Sequence, residues 1–313
     1  MMLKIVMSNI DVLKSKDHYL SLLFTPVTNI FSPATLASIA TIRKDAVFRF
    51  TPEMMYIVSA QRVTDPQIWC EISLDIFDQV DVQSKRDNII SFELNIIEFL
   101  HILRTYENLN SDQIMIRLQR MDSNVNEPRS KKLSKLSFHF TELNQNNIEV
   151  SHSSSVIIRL LSQATDEAIK EPVLDHVNIV GYLPSDISAF FKRMERFKDP
   201  KFFEFSLSNK GLLTVSIEGD MKNIEIQWND LLNVTMIEDT EATAAAAAAD
   251  PSEEISFMVM IKETHLQLKS KFFEVVKASK MFISENEALV FDCSLEEGSQ
   301  NRILYFIKGT VRA

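Results

Sequence analysis

The stretch Val177-Asn-Ile-Val-Gly-Tyr-Leu-Pro-Ser-Asp-Ile-Ser-Ala-Phe-Phe-Lys-Arg-Met-Glu-Arg-Phe197 decides how the rest of the chain reads. Val177–Val180 is a short β-branched strand that runs on to Leu183 and stops at Pro184. A helix is then expected from Ser185, a residue suited to capping, to Phe197. At about 100° per residue, Ile187, Phe190, Phe191, Met194 and Phe197 share one stripe. Lys192 and Arg196 project from the opposite side and Arg193 flanks them. Such a helix lays its phenylalanines on a sheet and keeps its cations in water.

Working toward the carboxyl terminus, strands are expected at Phe202–Leu207, Leu212–Ile217, Ile224–Trp228 and Ile255–Ile261. A second helix covers Lys269–Ser279, with Phe272, Phe273 and Val276 on its buried stripe, Lys271 facing away and Lys277 to the side. Strands at Met281–Ser284, Leu289–Cys293 and Ile303–Ile307 close the chain.

The amino-terminal half has the same plan. Its strands are Ala46–Phe50, Met54–Val58, Ile68–Ile72 and Ile89–Leu94, then Ile114–Leu118, Leu136–Phe140 and Val156–Leu160. Between the fourth and fifth lies a helix, Asn95–Glu107, whose Ile96, Phe99, Leu100 and Leu103 share a face. His101 faces outward from it and Arg104 flanks it; Arg43 and Lys44 end the first helix of this half. Trp69 and Trp228 occupy corresponding strands, the third after the first helix of each half. The expected fold is therefore α+β, an internal duplication of antiparallel sheets backed by two helices per copy. Its domains are 1–163 and 177–313, joined by a polar, Pro-containing connector at 164–176. An acidic, Ala-rich loop at 238–254 interrupts the second.

Composition removes several function classes. The closest two of the five glycines, Gly211 and Gly219, are eight positions apart. Neither a dinucleotide fingerprint nor a P-loop, which need much closer glycines, can exist. The six histidines show no HExxH spacing, no GxSxG elbow is present, and neither Cys70 nor Cys293 has a zinc-spaced partner. Pairs such as His139 with Glu142, or Asp175 with His176, are common in any chain. No catalytic residue, metal or cofactor is expected. No apolar run reaches the roughly 18 residues of a membrane span, and the amino terminus reads as a strand and not as a signal peptide. The two distant cysteines fit buried thiols in a reducing compartment.

The net charge is −10, yet Glu238 to Glu254 alone carries six acids and no base. Cations gather instead on the helices, at Arg43, Lys44, Arg104, Lys192, Arg193, Arg196, Lys271 and Lys277. Cationic helices on an acidic protein suit sequence-blind attraction to phosphates while the outer surface avoids general DNA coating.

With these residues assembled, the chain resembles the Hus family of checkpoint clamp subunits, in particular its budding-yeast branch. The resemblance is carried by Leu36–Phe50, Ile68–Ile72, Lys170–Leu174, Tyr182–Pro184, Phe190–Phe197, Ile224–Trp228 and Ile303–Ile307, in order along nearly the whole chain. Two departures are the insertion-like segment Asp17–Phe31 and the acidic alanine loop. The resemblance implies two PCNA-like DNA-clamp domains, in a subunit that joins two sister subunits in the heterotrimeric 9-1-1 ring. It further implies an RFC-like checkpoint clamp loader, double-stranded DNA held without sequence preference, a nuclear location and no catalysis. By the same analogy the ring closes through edge strands at Lys135–Leu143 and Met221–Trp228, with Phe138, Phe140, Ile224 and Ile226 as interface residues. A partner-peptide pocket would lie near Ala164–Val177. The competing readings are a self-trimerising replicative clamp, a DNA-free scaffold and an unrecognised enzyme.

Overall fold

The structure, a computed structural model, describes residues 1–8, 33–59, 65–109, 111, 113–120, 134–143, 146, 148–174, 176–197, 200–219, 223–229, 233–237, 254–266, 270–276, 278–295 and 300–311. The insertion-like segment 17–31, most of the acidic loop, and Met221 and Lys277 lie outside the described residues.

In the first half the elements are β1 (Met2–Ser8), α1 (Pro33–Ile42), β2 (Asp45–Phe50), β3 (Met54–Ser59), β4 (Gln67–Ser73), β5 (Gln79–Gln83), β6 (Ile90–Asn95), α2 (Ile96–Asn108), β7 (Gln113–Arg120), β8 (Ser134–Leu143) and β9 (Glu149–Leu160). A short helix, α3 (Gln163–Glu167), follows. The second half runs β10 (Ile179–Leu183), α4 (Ile187–Met194), β11 (Phe202–Ser208), β12 (Leu213–Glu218), β13 (Asn223–Trp228), β14 (Val234–Met236), β15 (Ser256–Lys262), α5 (Ser270–Val275), β16 (Ala278–Ser284), β17 (Ala288–Ser294) and β18 (Arg302–Lys308). Among the described residues both halves thus read strand, helix, five strands, helix, three strands. Trp69 and Trp228 sit on the matching strands β4 and β13.

The chain forms two compact units, Met1–Ser59 with Glu71–Lys170, and Ala60–Cys70 with Glu171–Ala313. The division falls within the 164–176 segment. That Ala60–Cys70 belongs with the second unit is announced by no shift in composition.

In the first unit the strands lie in the order β3-β2-β6-β9-β8-β7-β1-β5, every pair antiparallel. α2 covers this sheet because its apolar residues repeat at helical spacing. Ile96, Phe99, Leu100, Ile102, Leu103 and Tyr106 are all buried, and Phe99 meets Phe48 edge-on at 5.7 Å. Asn95 starts the helix by accepting from the Ile97 and Glu98 N–H groups at 3.0 and 3.2 Å.

The second unit has two sheets, β14-β10-β16-β17-β18 and β13-β12-β11-β15. They meet closely at Gly181, where a Cβ would stand 2.8 Å from Leu207 Cδ2. Alternation along β11, β12 and β15 buries Phe203, Phe205, Val215, Ile217, Val259 and Ile261. Cys293 is wholly buried, and that burial pushes its thiol up to about 12, so it is protonated and inert.

Several expectations shift at their boundaries. β9 is twelve residues long and reaches back through Ser151–Ser155, whose serines carry no strand signal; pairing with β8 imposes it. β5, polar at alternate positions, and β14, only three residues long, were also not among the expected strands. α5 stops at Val275, four residues short of the expected end, because Ala278 and Ser279 enter the ladder with β17.

α3 turns part of the expected connector into structure. Ser162 caps it by accepting from Thr165 N–H at 3.2 Å. Asp166, with only 5% of its side chain exposed, receives Arg49 Nε at 2.9 Å and Arg86 at 2.8 Å. Arg49 also donates to the Asp166 carbonyl at 2.8 Å. Burial alone would raise this carboxyl, but the Ser91 hydroxyl and the two guanidiniums outweigh it and hold it below its ordinary 3.8. A folded pKa below the unfolded one stabilises the fold fully above that ordinary value. The contribution disappears as pH falls through the lower, folded value. Asp166→Asn is expected to cost about 2 kcal/mol at neutral pH and to flatten the acid limb of stability. Urea unfolding from about pH 3 to about pH 7 checks both.

Candidate nucleic-acid interface and open strand edges

The cationic helix α4 is placed by its phenylalanines. Phe191 stacks on Phe273 of α5 with centroids 4.1 Å apart, and both rings stand edge-on to Phe291 of β17 at 5.9 and 5.7 Å. Phe190 reaches the other sheet, edge-on to Trp228 at 6.0 Å. With Ile187, Phe190, Phe191 and Met194 buried, Lys192, Arg193 and Arg196 are left exposed. Among the described residues none of the three is in an ion pair.

The helix is shorter than the pattern suggested. It starts at Ile187 after a turn in which Ile187 N–H donates to the Pro184 carbonyl, and Asp186, not Ser185, holds the cap position without a side-chain bond. Asp186 has φ −94° and ψ 11°, away from the extended geometry from which a side chain caps. At the other end Arg196 and Phe197 continue in tight turns onto the Arg193 and Met194 carbonyls at 3.2 and 3.1 Å. Arg196 therefore stays beside the helix while lying beyond it. Glu195, the one acid in this cluster, accepts from the Ser270 N–H at 2.5 Å and so ties the end of α4 to the start of α5.

Lys271 lies on α5, but its side chain is outside the described residues, as is all of Lys277. In the first unit Lys44 is exposed and its carbonyl accepts from Ile96 N–H at 2.7 Å, which ties the end of α1 to the start of α2. Arg43 is half-buried. Arg104 and His101 are exposed, but they share the outer face of α2 with Glu98, Glu107 and the 47% exposed Ile97. That face is mixed. The cationic signal is concentrated at Lys192, Arg193 and Arg196.

The edge expected at Lys135–Leu143 is not an edge. β8 is paired on both sides, with β7 and with β9, and Phe138 and Phe140 point inward to Phe99 and Tyr106 at 5.5 and 5.7 Å. Both rings are core. Among the described residues the open edge belongs to β9, which pairs with β6 over Ile158–Leu160, so Glu149–Ile157 is bonded there on the β8 side alone. Its serines hid it from a search for apolar strands. Among the described residues β13 has only β12 as a neighbour, and Ile224, Ile226 and Trp228 are half-buried along it. β5 and β14 are outer strands too, but β5 carries Asp81 and β14 has three residues, which blunts them for pairing.

A third surface lies on the outward side of β16 and β18, where Phe282, Leu304 and Phe306 are half-buried. Tyr182 is exposed beside them under the Lys280 ammonium at 5.3 Å. Among the described residues no three His, Cys, Asp or Glu side chains are grouped to hold a metal, and no helix is long and apolar enough to cross a membrane.

Comparison with solved structures gives the class. The chain has the fold of PCNA-type clamps: it matches the PCNA2–PCNA3 complex of Sulfolobus tokodaii with TM-score 0.62 and 10% identity, over 98% of each chain. It matches PCNA of Entamoeba histolytica with TM-score 0.62 and 11% identity, over 91% of this chain and 96% of that one. Within that class, the family model described as Hus1-like protein matches residues 27–311, and the chain belongs to that family. It is 24% identical to DNA damage checkpoint control protein MEC3 of Eremothecium gossypii, over 85% of this chain and 89% of that protein. It is 23% identical to checkpoint protein hus1 of Schizosaccharomyces pombe, over 67% of this chain and 70% of that protein.

The aromatic seam is what fixes the cations in place. Phe191→Ala is expected to lower stability by about 3–5 kcal/mol and to release α4 from α5. Thermal unfolding measures the first effect, and hydrogen exchange at the Ser270 amide measures the second.

Proposed function

We propose that this protein is a non-catalytic subunit of a heterotrimeric checkpoint sliding clamp, which encircles double-stranded DNA without reading its sequence and recruits checkpoint and repair proteins in the nucleus. The observation that carries the reading is a run of exposed cations on a helix clamped to a PCNA-type sheet, in a chain whose relatives are checkpoint proteins. Lys192, Arg193 and Arg196 meet backbone phosphates by Coulomb attraction, with Lys44 and Arg104 as weaker contributors and Arg43, Lys271 and Lys277 as further candidates. Ring closure uses backbone pairing at the open edges, β9 over Glu149–Ile157 and β13 with Ile224 and Ile226, each against a sister subunit. An RFC-like loader places the ring on DNA. The apolar surface at Phe282, Leu304 and Phe306 is the candidate seat for partner peptides near the connector.

Two measurements test this. By mass, the purified chain alone stays out of a homotrimer and enters a ring of one copy each with two sister subunits; a stable homotrimer points to a replicative clamp instead. Reversing Lys192, Arg193 and Arg196 to Glu in the assembled ring weakens retention on DNA. It also reduces the slope of log affinity against log salt by about 0.9 for each phosphate contact removed. Retention that is unchanged favours a scaffold that binds only proteins.

A further inference from the structure

We infer that Glu142 and His152 select the subunit that the open edge of β9 accepts. The pair rejects the β13 edge of a second copy and admits a sister strand that sets a hydrogen-bonding side chain against it. This rests on the proposed ring closure and names what chooses the partner there. On the sheet face covered by α2, the open stretch of β9 carries Val150, His152 and Ser154, all half-buried, before Val156 enters the core. Register sets the three beside Glu142, Phe140 and Phe138 of β8. The His152 ring lies flat on Phe140, with centroids 5.1 Å apart and planes 13° apart, and its Nε2–H donates to Glu142 Oε1 at 3.1 Å. The imidazole is thereby fixed in place. Its side chain is 30% exposed and that of Glu142 19%, so both keep contact with water.

The edge of β13 has the opposite character. Its core-side row is Ile224, Ile226 and Trp228, each half-buried and each opposite a buried apolar residue of β12. Trp228 meets Phe190 of α4, so this row also lies on the helix side of its sheet. In a ring whose helices all face DNA, the helix-side rows of two joined edges adjoin each other. A second copy would therefore lay isoleucines over the Glu142–His152 pair, remove its water and return no hydrogen bond. Desolvation without replacement disfavours that closure, whereas two apolar rows would join readily. A sister strand that offers a polar group to His152 Nδ1 or to the second Glu142 oxygen avoids the penalty. A polar pair on one edge and an apolar row on the other thus act against self-closure.

Sedimentation equilibrium of the purified full chain, from micromolar to submillimolar concentration, is the test. The wild type is expected to stay monomeric. Glu142→Leu with His152→Leu, which matches this edge to β13, is expected to self-associate at least about tenfold more tightly. Adding Ile226→Glu to that variant is expected to abolish the gain, which the general stickiness of two leucines would survive. Glu142→Gln with His152→Phe keeps a ring on Phe140 and is expected to shift association in the same direction. Thermal melts report the folding of each variant, and this milder pair carries the test if the leucine pair does not fold. A wild-type homotrimer overturns the inference together with the proposed function. A monomeric wild type whose folded variants are equally monomeric, or an association that Ile226→Glu leaves in place, overturns the inference alone.

Discussion

The stacking of Phe191 on Phe273, with both rings edge-on to Phe291, is the contact from which the surface chemistry of the second unit follows. An eight-residue helix has little intrinsic stability in water and forms because its apolar stripe is taken up by a sheet. Once that stripe is down, rotation about the helix axis is fixed. Lys192, Arg193 and Arg196 then have no direction but outward. Glu195 adds the second restraint by accepting from the first N–H of α5, which draws the acid between Lys192 and Arg196 away from the cationic row. Phosphate attraction, in the proposed function, depends on this fixed orientation, since freely swinging cations would pay entropy for every contact.

Backbone hydrogen bonding is the complementary constraint. Each strand must find partners on both sides, be covered, or remain open. β8 is satisfied on both sides, which makes Phe138 and Phe140 core residues; β15 is covered by two loop N–H groups; β9 and β13 remain partly open. Openness is thus a property of the ladder and not of composition. The most apolar strands of the first unit are interior, and its open stretch is rich in serine.

The charge of the protein is divided between surfaces. The outward sheet face of β11 to β13 carries Glu204, Glu218 and Glu225, whereas the exposed face of α4 is cationic. This division makes a net charge of −10 compatible with the proposed attraction of α4 to phosphates, because the acids are kept off the cationic face. In the first unit the helix faces are mixed, and the acid that matters most there, Asp166, is buried between two arginines and anchors the chain as it leaves the sheet.

The sequence by itself determined the duplicated order of elements, the identity of most strands, and the apolar stripes of α2 and α4. These depend on periodicity within a dozen residues, and periodicity survives in a linear string. It also carried the cationic row at Lys192, Arg193 and Arg196, since spacing along one helix sets a shared face. Only the tertiary structure decided which strands are edges, that Ser151–Ser155 is strand, that α5 yields to β16 after Val275, and that Asp166 meets Arg49 and Arg86. The meeting of His152 with Glu142 and Phe140 belongs with these, because their adjacency is a matter of cross-strand register. Register and edge status join residues tens of positions apart through backbone hydrogen bonds, and those bonds leave no mark on the side chains that a sequence records.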